Sequence, residues 1–185
     1  MKYWFKLCFA MLVFMPFLGM ALYFNGPESS FQAKAEDRWT HIVIHHSGSS
    51  VDTLKSMNND HVNKKGWDGI GYHFIIGNGV NTIDGEVEET FRYRQLKDGA
   101  HALTPDLFYN KHSIGICLVG NFNNTSPTEK QINSLKKLIL KLKDTYSILD
   151  KNIMIHREVK ATECPGKNFP IENIRTWLEE TSINN

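Results

Sequence analysis

The sequence lacks an excess of either charge. It holds 21 Lys and Arg against 20 Asp and Glu, a formal net charge of +1. Near-neutrality of this kind gives no basis for nucleic-acid binding through phosphates. Cysteine is also scarce, with 3 in 185 residues. Cys8 lies in an apolar segment with no lipobox-like stretch before it. Cys117 sits in the apolar run SIGICLVG, where a small buried hydrophobe is the simplest reading. Cys164 is the third, and a Cys117–Cys164 disulfide is the one pairing an exported domain would allow. There is no internal repeat and no low-complexity tract, which excludes solenoid and filament architectures.

Long hydrophobic runs are absent except at the start. Lys2 and Lys6 precede Leu7–Phe24, an uncharged and mostly apolar run of about 18 residues, near the lower limit for crossing a bilayer. Lysines before the run and none just after it orient the N-terminus inward. Residues 1–24 therefore read as a signal peptide or a membrane anchor, with Ala33-Lys34-Ala35 as a candidate cleavage site. An uncleaved segment would make the membrane a partner, and either form places the remainder outside the cytoplasm. Residues 25–37 (NGPESSFQAKAED) read as a polar linker. Residues 38–185 have the size of one domain.

Within that domain, hydrophobic periodicity sets the order of elements. THIVIHH (40–46) predicts a buried strand. Leu54, Met57, His61 and Val62 predict one face of a helix across 52–65, stopped by Gly66. YHFIIG (72–77) predicts a second strand, and Asn78-Gly79 a tight turn leading to VNTID. Residues 113–119 predict a third strand. Ser126-Pro127-Thr128-Glu129 has the form of a capping box. Behind it, Ile132, Leu135, Leu138, Ile139, Leu142 and Tyr146 form a helical stripe. NIMIH (152–156) predicts a fourth strand, and Ile171, Ile174, Trp177 and Leu178 a closing helix. Strands alternating with helices give an α/β single domain: a mixed central β-sheet flanked by helices.

Two histidines, His45 and His156, end apolar strands. In open α/β sheets the site lies off the carboxyl ends of strands, so two such imidazoles can converge. Cys164 follows His156 by a loop long enough to double back, and Pro165-Gly166 fixes the backbone beyond the thiol. Two His and one Cys leave one position of a tetrahedral zinc site open, the catalytic type. Three alternatives stand beside it: strand-end histidines at the surface with a buried cysteine, a Cys–His hydrolase pair, and a blue-copper site. The hydrolase pair has no supporting local signature. The copper site lacks a following His and axial Met at short spacing. His46 reads as structural on the opposite face of its strand. His61 reads as buried and hydrogen-bonded, His73 alternates away from Tyr72, and His41 and His112 read as surface residues.

Five segments in order, "IVIHHSGSS", "GWDGIGYHFIIG", "GAHA", "SIGICLVGNF" and "HREVKATECPG", resemble the motifs of the zinc amidase family. That family takes in type 2 N-acetylmuramoyl-L-alanine amidases, amidase-type phage lysozymes and peptidoglycan recognition proteins. The resemblance covers roughly residues 38–180. It implies that His45, His156 and Cys164 are ligands of a Zn2+ cofactor, and that Tyr72 faces the metal-bound water. Phage members carry a lysine where Thr162 stands, which makes Thr162 the candidate for that second catalytic position. His101 matches a groove residue that contacts substrate. Trp67 is a candidate to stack on sugar, with plain packing as its alternative. Family members that only bind peptidoglycan often lack the cysteine present here.

The implied reaction is hydrolysis of the amide between N-acetylmuramic acid and L-alanine of the stem peptide. The implied partner is peptidoglycan or a free muropeptide, in an extracytoplasmic setting. Two rivals remain open: a binding module of the same fold that does not cut, and a zinc amidase acting on free muropeptides.

Overall fold

The computed structural model describes residues 38–183. The apolar segment 1–24 and the linker 25–37 lie outside the described residues. Among the described residues, no helix is long and apolar enough to cross a membrane.

Five strands form one mixed sheet, in the order β3-β2-β4-β1-β5. The strands are β1 (His41–His46), β2 (Phe74–Ile76), β3 (Val87–Glu89), β4 (Ser113–Leu118) and β5 (Ile153–Ile155). β1 runs parallel to β4 on one side and to β5 on the other, and β4 runs parallel to β2. Only β3 is antiparallel, against β2. The central strands are continuous apolar runs, as expected where both faces are covered. Among the described residues, six α-helices are distributed around the sheet, α1 (Leu54–Asn63), α2 (Phe91–Arg94), α3 (Phe108–His112), α4 (Glu129–Tyr146), α5 (His156–Val159) and α6 (Ile171–Ile183), with a short 3-10 helix at Asp150–Asn152.

Alternation sends Ile42 and Ile44 of β1, with Ile114, Ile116 and Leu118 of β4, to one face. There they join Leu135, Leu138, Ile139 and Leu142 of α4 and Ile174 and Leu178 of α6 in one apolar cluster. Each such side chain taken out of water contributes roughly 1.5–3 kcal/mol. The other face is thinner. Met57, Ile70, Ile75, Cys117 and Val119 cluster there, with Leu54, Tyr72 and Phe91 packed against them.

Three local expectations need correction. The second strand begins at Phe74, not at residue 72, so alternation does not govern Tyr72 or His73. Tyr72 packs on the thin face rather than sharing a side with Phe74 and Ile76. Second, the turn at Asn78-Gly79 does not join β2 directly to its antiparallel partner. Ile76 pairs with Val87, so residues 77–86 form the connection. The Asn78 Oδ1 instead accepts from the Val80 N–H at 3.1 Å. Third, the N-cap of α4 is Thr128, paired with Gln131, and not Ser126. Both Ser126-x-x-Glu129 and Thr128-x-x-Gln131 fit the capping pattern. The second prevails because Gln131 is buried and its Nε2 also donates to the carbonyls of Ile76 and Val119.

Candidate metal centre

β1 and β5 are parallel neighbours, so their carboxyl ends emerge side by side. His45 lies one residue from the end of β1, and His156 follows β5 directly at the start of α5. Their ring centroids are 4.4 Å apart. The chain then doubles back. The Arg157 N–H donates to the Cys164 carbonyl at 2.9 Å, and the Arg157 guanidinium donates to the Gly166 carbonyl at 2.9 Å. Gly166 has φ +101°, and a Cβ there would lie 2.4 Å from the Phe122 backbone. Only glycine meets both conditions without strain. The turn delivers the Cys164 Sγ to 3.8 Å from His45 Nδ1 and 3.4 Å from the backbone N–H of His46, which donates to it.

The donor atoms of His45, His156 and Cys164 all lie within 4.8 Å of one another. Tetrahedral bonds of about 2.1 Å to nitrogen and 2.3 Å to sulfur separate an N and an S donor by about 3.6 Å, close to the distance found. The Nε2 of His156 is buried with no hydrogen-bond partner. The set of two imidazoles and one thiol therefore fits zinc, with a fourth position left for water or substrate.

The electrostatics agree with that donor set. Burial, then the nearby His101 and His156, hold the pKa of His45 well below the usual imidazole range. Burial and then Lys160 lower that of His156 to about 4. Both rings are neutral near pH 7, with a lone pair to offer. Burial pushes the Cys164 thiol up to about 12. A nucleophilic cysteine needs the opposite shift, which weighs against the Cys–His hydrolase pair. A thiol that ligates a cation is deprotonated by it outright.

Around these donors, Tyr72 is half-buried with its ring 5.2 Å from that of His45. Burial, then Cys117, raises its pKa well above the usual phenol range. Cys117 is fully buried and free, and so is not paired with Cys164. His101 is buried, with its Nδ1 3.0 Å from His45 Nε2. Thr162 is exposed, and its hydroxyl oxygen accepts from the Cys164 N–H at 3.2 Å. Trp67 is half-buried. Its ring lies 4.7 Å from that of His61, with Lys65 Nζ 4.8 Å from its centroid. His46 turns away, its Nδ1 accepting from the Phe122 N–H at 3.1 Å. His61 is buried and accepts from the Gly71 N–H at 3.0 Å.

Sequence reasoning missed two features. Arg92 is almost fully buried. It pairs with Asp68 and donates to the carbonyls of Ile70 and Asp98, tying the loop before Tyr72 to the loop before His101. No periodicity marks a buried arginine in a four-residue helix. The His45–His101 bond joins residues 56 apart. The only local sign of it is the small-residue setting of DGAHA, which leaves room for a ring against backbone.

Comparison with known proteins adds an independent line. The family profile described as N-acetylmuramoyl-L-alanine amidase matches residues 35–167. The peptidoglycan-recognition protein SC2 of Drosophila simulans is 35% identical over 147 residues, covering 75% of this chain and 73% of its own length. Among solved structures, the N-acetylmuramoyl-L-alanine amidase LysC of Clostridium intestinale superposes with a TM-score of 0.67 at 34% identity. That match covers 78% of this chain and 88% of the enzyme. A peptidoglycan recognition protein-LE in complex with tracheal cytotoxin, a monomeric diaminopimelic acid-type peptidoglycan, superposes with a TM-score of 0.61 at 28% identity. Here 75% of this chain and 80% of the relative are covered.

Proposed function

The chain belongs to the N-acetylmuramoyl-L-alanine amidase family, and from that premise we propose that it is a zinc-dependent hydrolase of the amide joining N-acetylmuramic acid to L-alanine in peptidoglycan. One observation carries the reading: His45, His156 and Cys164 present three donors within 4.8 Å at the open end of the sheet. A module that only binds has no chemical need to hold a soft donor beside two neutral imidazoles.

Zinc bound there supplies a Lewis acid for the scissile carbonyl and lowers the pKa of a bound water to about 7. The chain's own residues contribute the rest. His45 and His156 stay neutral and face each other across the site. Tyr72 keeps its proton at neutral pH, because burial opposes the phenolate. It is therefore a hydrogen-bond donor beside His45, suited to charge that develops on the carbonyl oxygen. Thr162 is not a base, and its hydroxyl holds the backbone of Cys164.

The substrate lies outside the cytoplasm, and the N-terminal segment provides a route there. We assign residues 1–24 to export, 25–37 to a tether and 38–185 to the amidase domain. A topology reporter joined after residue 40 should be active only in its exported form.

Mass spectrometry of purified peptidoglycan after digestion tests the reaction itself. Cleavage between muramic acid and L-alanine, abolished by a chelator and by Cys164→Ser, is expected. Binding to peptidoglycan without cleavage by the zinc-loaded chain would establish the binding module instead. Cleavage of soluble muropeptides but not of intact wall would move the substrate to free fragments.

A further inference from the structure

His101 lies beside the donor set but is not one of its members. Its ring occupies a space that only absent side chains could provide. A Cβ on Gly99 or on Gly115 would each come within 2.4 Å of the His101 ring. Above and below, the backbone is pinned. The Asn110 Oδ1 accepts from the N–H groups of both His101 and Ala102, at 3.0 and 2.9 Å. His73 packs 5.7 Å away with its own tautomer set: its Nδ1 accepts from the Gly115 N–H at 2.9 Å, and its Nε2 donates to the Lys97 carbonyl at 3.1 Å. All this confinement directs one atom, the His101 Nδ1, to 3.0 Å from His45 Nε2.

That contact has a consequence for His45. A neutral imidazole carries one N–H and one lone pair, and the partner of one nitrogen decides the role of the other. His45 Nδ1 faces Cys164 Sγ. For Nδ1 to offer its lone pair, the proton must sit on Nε2 and needs a buried acceptor. The His101 Nδ1 is the only atom placed to accept it among the described residues.

We propose that His101 is a positioning residue for the metal centre. Its Nδ1 accepts the Nε2 proton of His45, its own proton sits on the buried Nε2 that has no hydrogen-bond partner, and the lone pair of His45 Nδ1 is thereby held toward Cys164. Hydrogen bonds behind a ligating histidine fix its tautomer and orientation, and their loss typically costs 10–100-fold in metal affinity. The proposal rests on the zinc reading above and gives His101 a task distinct from touching substrate.

Two measurements on the full 185-residue chain test it. The first needs no variant and no metal. In the 15N-histidine-labelled, zinc-free protein, the nitrogen shifts of His45 should report a proton on Nε2 and none on Nδ1. The opposite tautomer would overturn the proposal even if zinc binds. The second is zinc affinity, read by chelator competition. His101→Leu, which removes the acceptor, should bind zinc 10–100-fold more weakly, and cobalt in its place should show an altered visible spectrum. His101→Gln offers a carbonyl oxygen and should recover most of that loss. Wild-type affinity and spectrum in His101→Leu would sink the idea while leaving the zinc site intact. A wild-type chain that binds no zinc would instead defeat the metal reading, and the tautomer would still be measured. Should His101→Leu fail to fold, the tautomer and the Gln variant decide.

Discussion

The two faces of the sheet are built from the same strands by opposite rules. One face receives Ile42, Ile44, Ile114, Ile116 and Leu118 and is covered by two long amphipathic helices. The other receives His45 and Cys117 at paired register positions, and around them stand Tyr72, His73 and His101. On the first face, shape and apolar area suffice, and many side chains of similar volume would serve. On the second, the rings of His45, His73 and His101 each have a partner at hydrogen-bond distance. Small losses of position there cost function before they cost stability. The helical face holds the sheet, and the histidine face spends that rigidity on a site.

The strongest way to break this division is a cavity on the helical face. Ile116 is fully buried on β4 between two sheet neighbours. Ile116→Ala should destabilise the domain by about 2–5 kcal/mol. Zinc bound per folded molecule should not change, because the neighbouring side chains of the site project from the opposite surface. Chemical denaturation and metal analysis read the two quantities. A parallel loss of metal in still-folded protein would show that the faces are not independent.

The converse substitution is Tyr72→Phe. It keeps the ring beside His45 and removes one hydroxyl. Loss of an oxyanion donor costs about 10²–10³ in turnover elsewhere. We expect about 10², because a bound metal carries much of the charge. Stability and zinc content should stay at wild-type values. Near-normal turnover removes Tyr72 from the mechanism. Loss of zinc would make it a structural residue of the histidine face.

How much of this division could be read from residues alone depends on range. β1, β4, β5, α4 and α6 are legible because their patterns repeat within one element. His45, His156 and Cys164 are legible as strand-end and loop residues of metal-ligating type. Tyr72 is legible by resemblance but not by alternation, because the strand that would set its side starts two residues later. The His45–His101 bond and the Arg92 buckle are contacts between loops, fixed by tertiary packing. No local period encodes them. The cap of α4 is not legible because two overlapping patterns fit, and only the buried bonds of Gln131 choose between them.

Acid provides a graded probe of the histidine face. Burial lowers the pKa of His73 to about 3, and burial with Lys65 lowers that of His61 to about 4. Both lie below the ordinary value near 6.5, so below that pH the unfolded chain binds protons that the folded chain refuses. The stability these neutral rings contribute is complete above about pH 6.5 and is lost as pH falls toward 4 and 3. Each contributes a slope of up to about 1.4 kcal/mol per pH unit. Urea unfolding of the zinc-free chain at pH 7 and pH 5 reads this window, together with the buried rings of His45, His101 and His156, apart from most carboxylate titration. Equal stability at the two values would mean that these rings are not held neutral by folding.

The smallest expected effect sharpens the boundary between holding and reacting. Thr162 occupies the position that the family resemblance gives to a second catalytic group, yet it is exposed and its oxygen serves the backbone N–H of Cys164. Thr162→Val preserves shape and removes that acceptor. The freed N–H turns to water, since the loop lies at the surface, so the net cost is that of one ordinary hydrogen bond at most, about 0.5–1 kcal/mol. Turnover should fall by no more than a few-fold, through slight loosening of the Cys164 loop, and zinc should bind more weakly in the same proportion. A fall of about 10² with zinc affinity unchanged would place the hydroxyl in the chemistry. Thr162 would then stand beside Tyr72 as a reacting group rather than beside Gly166 as part of the turn that presents the thiol.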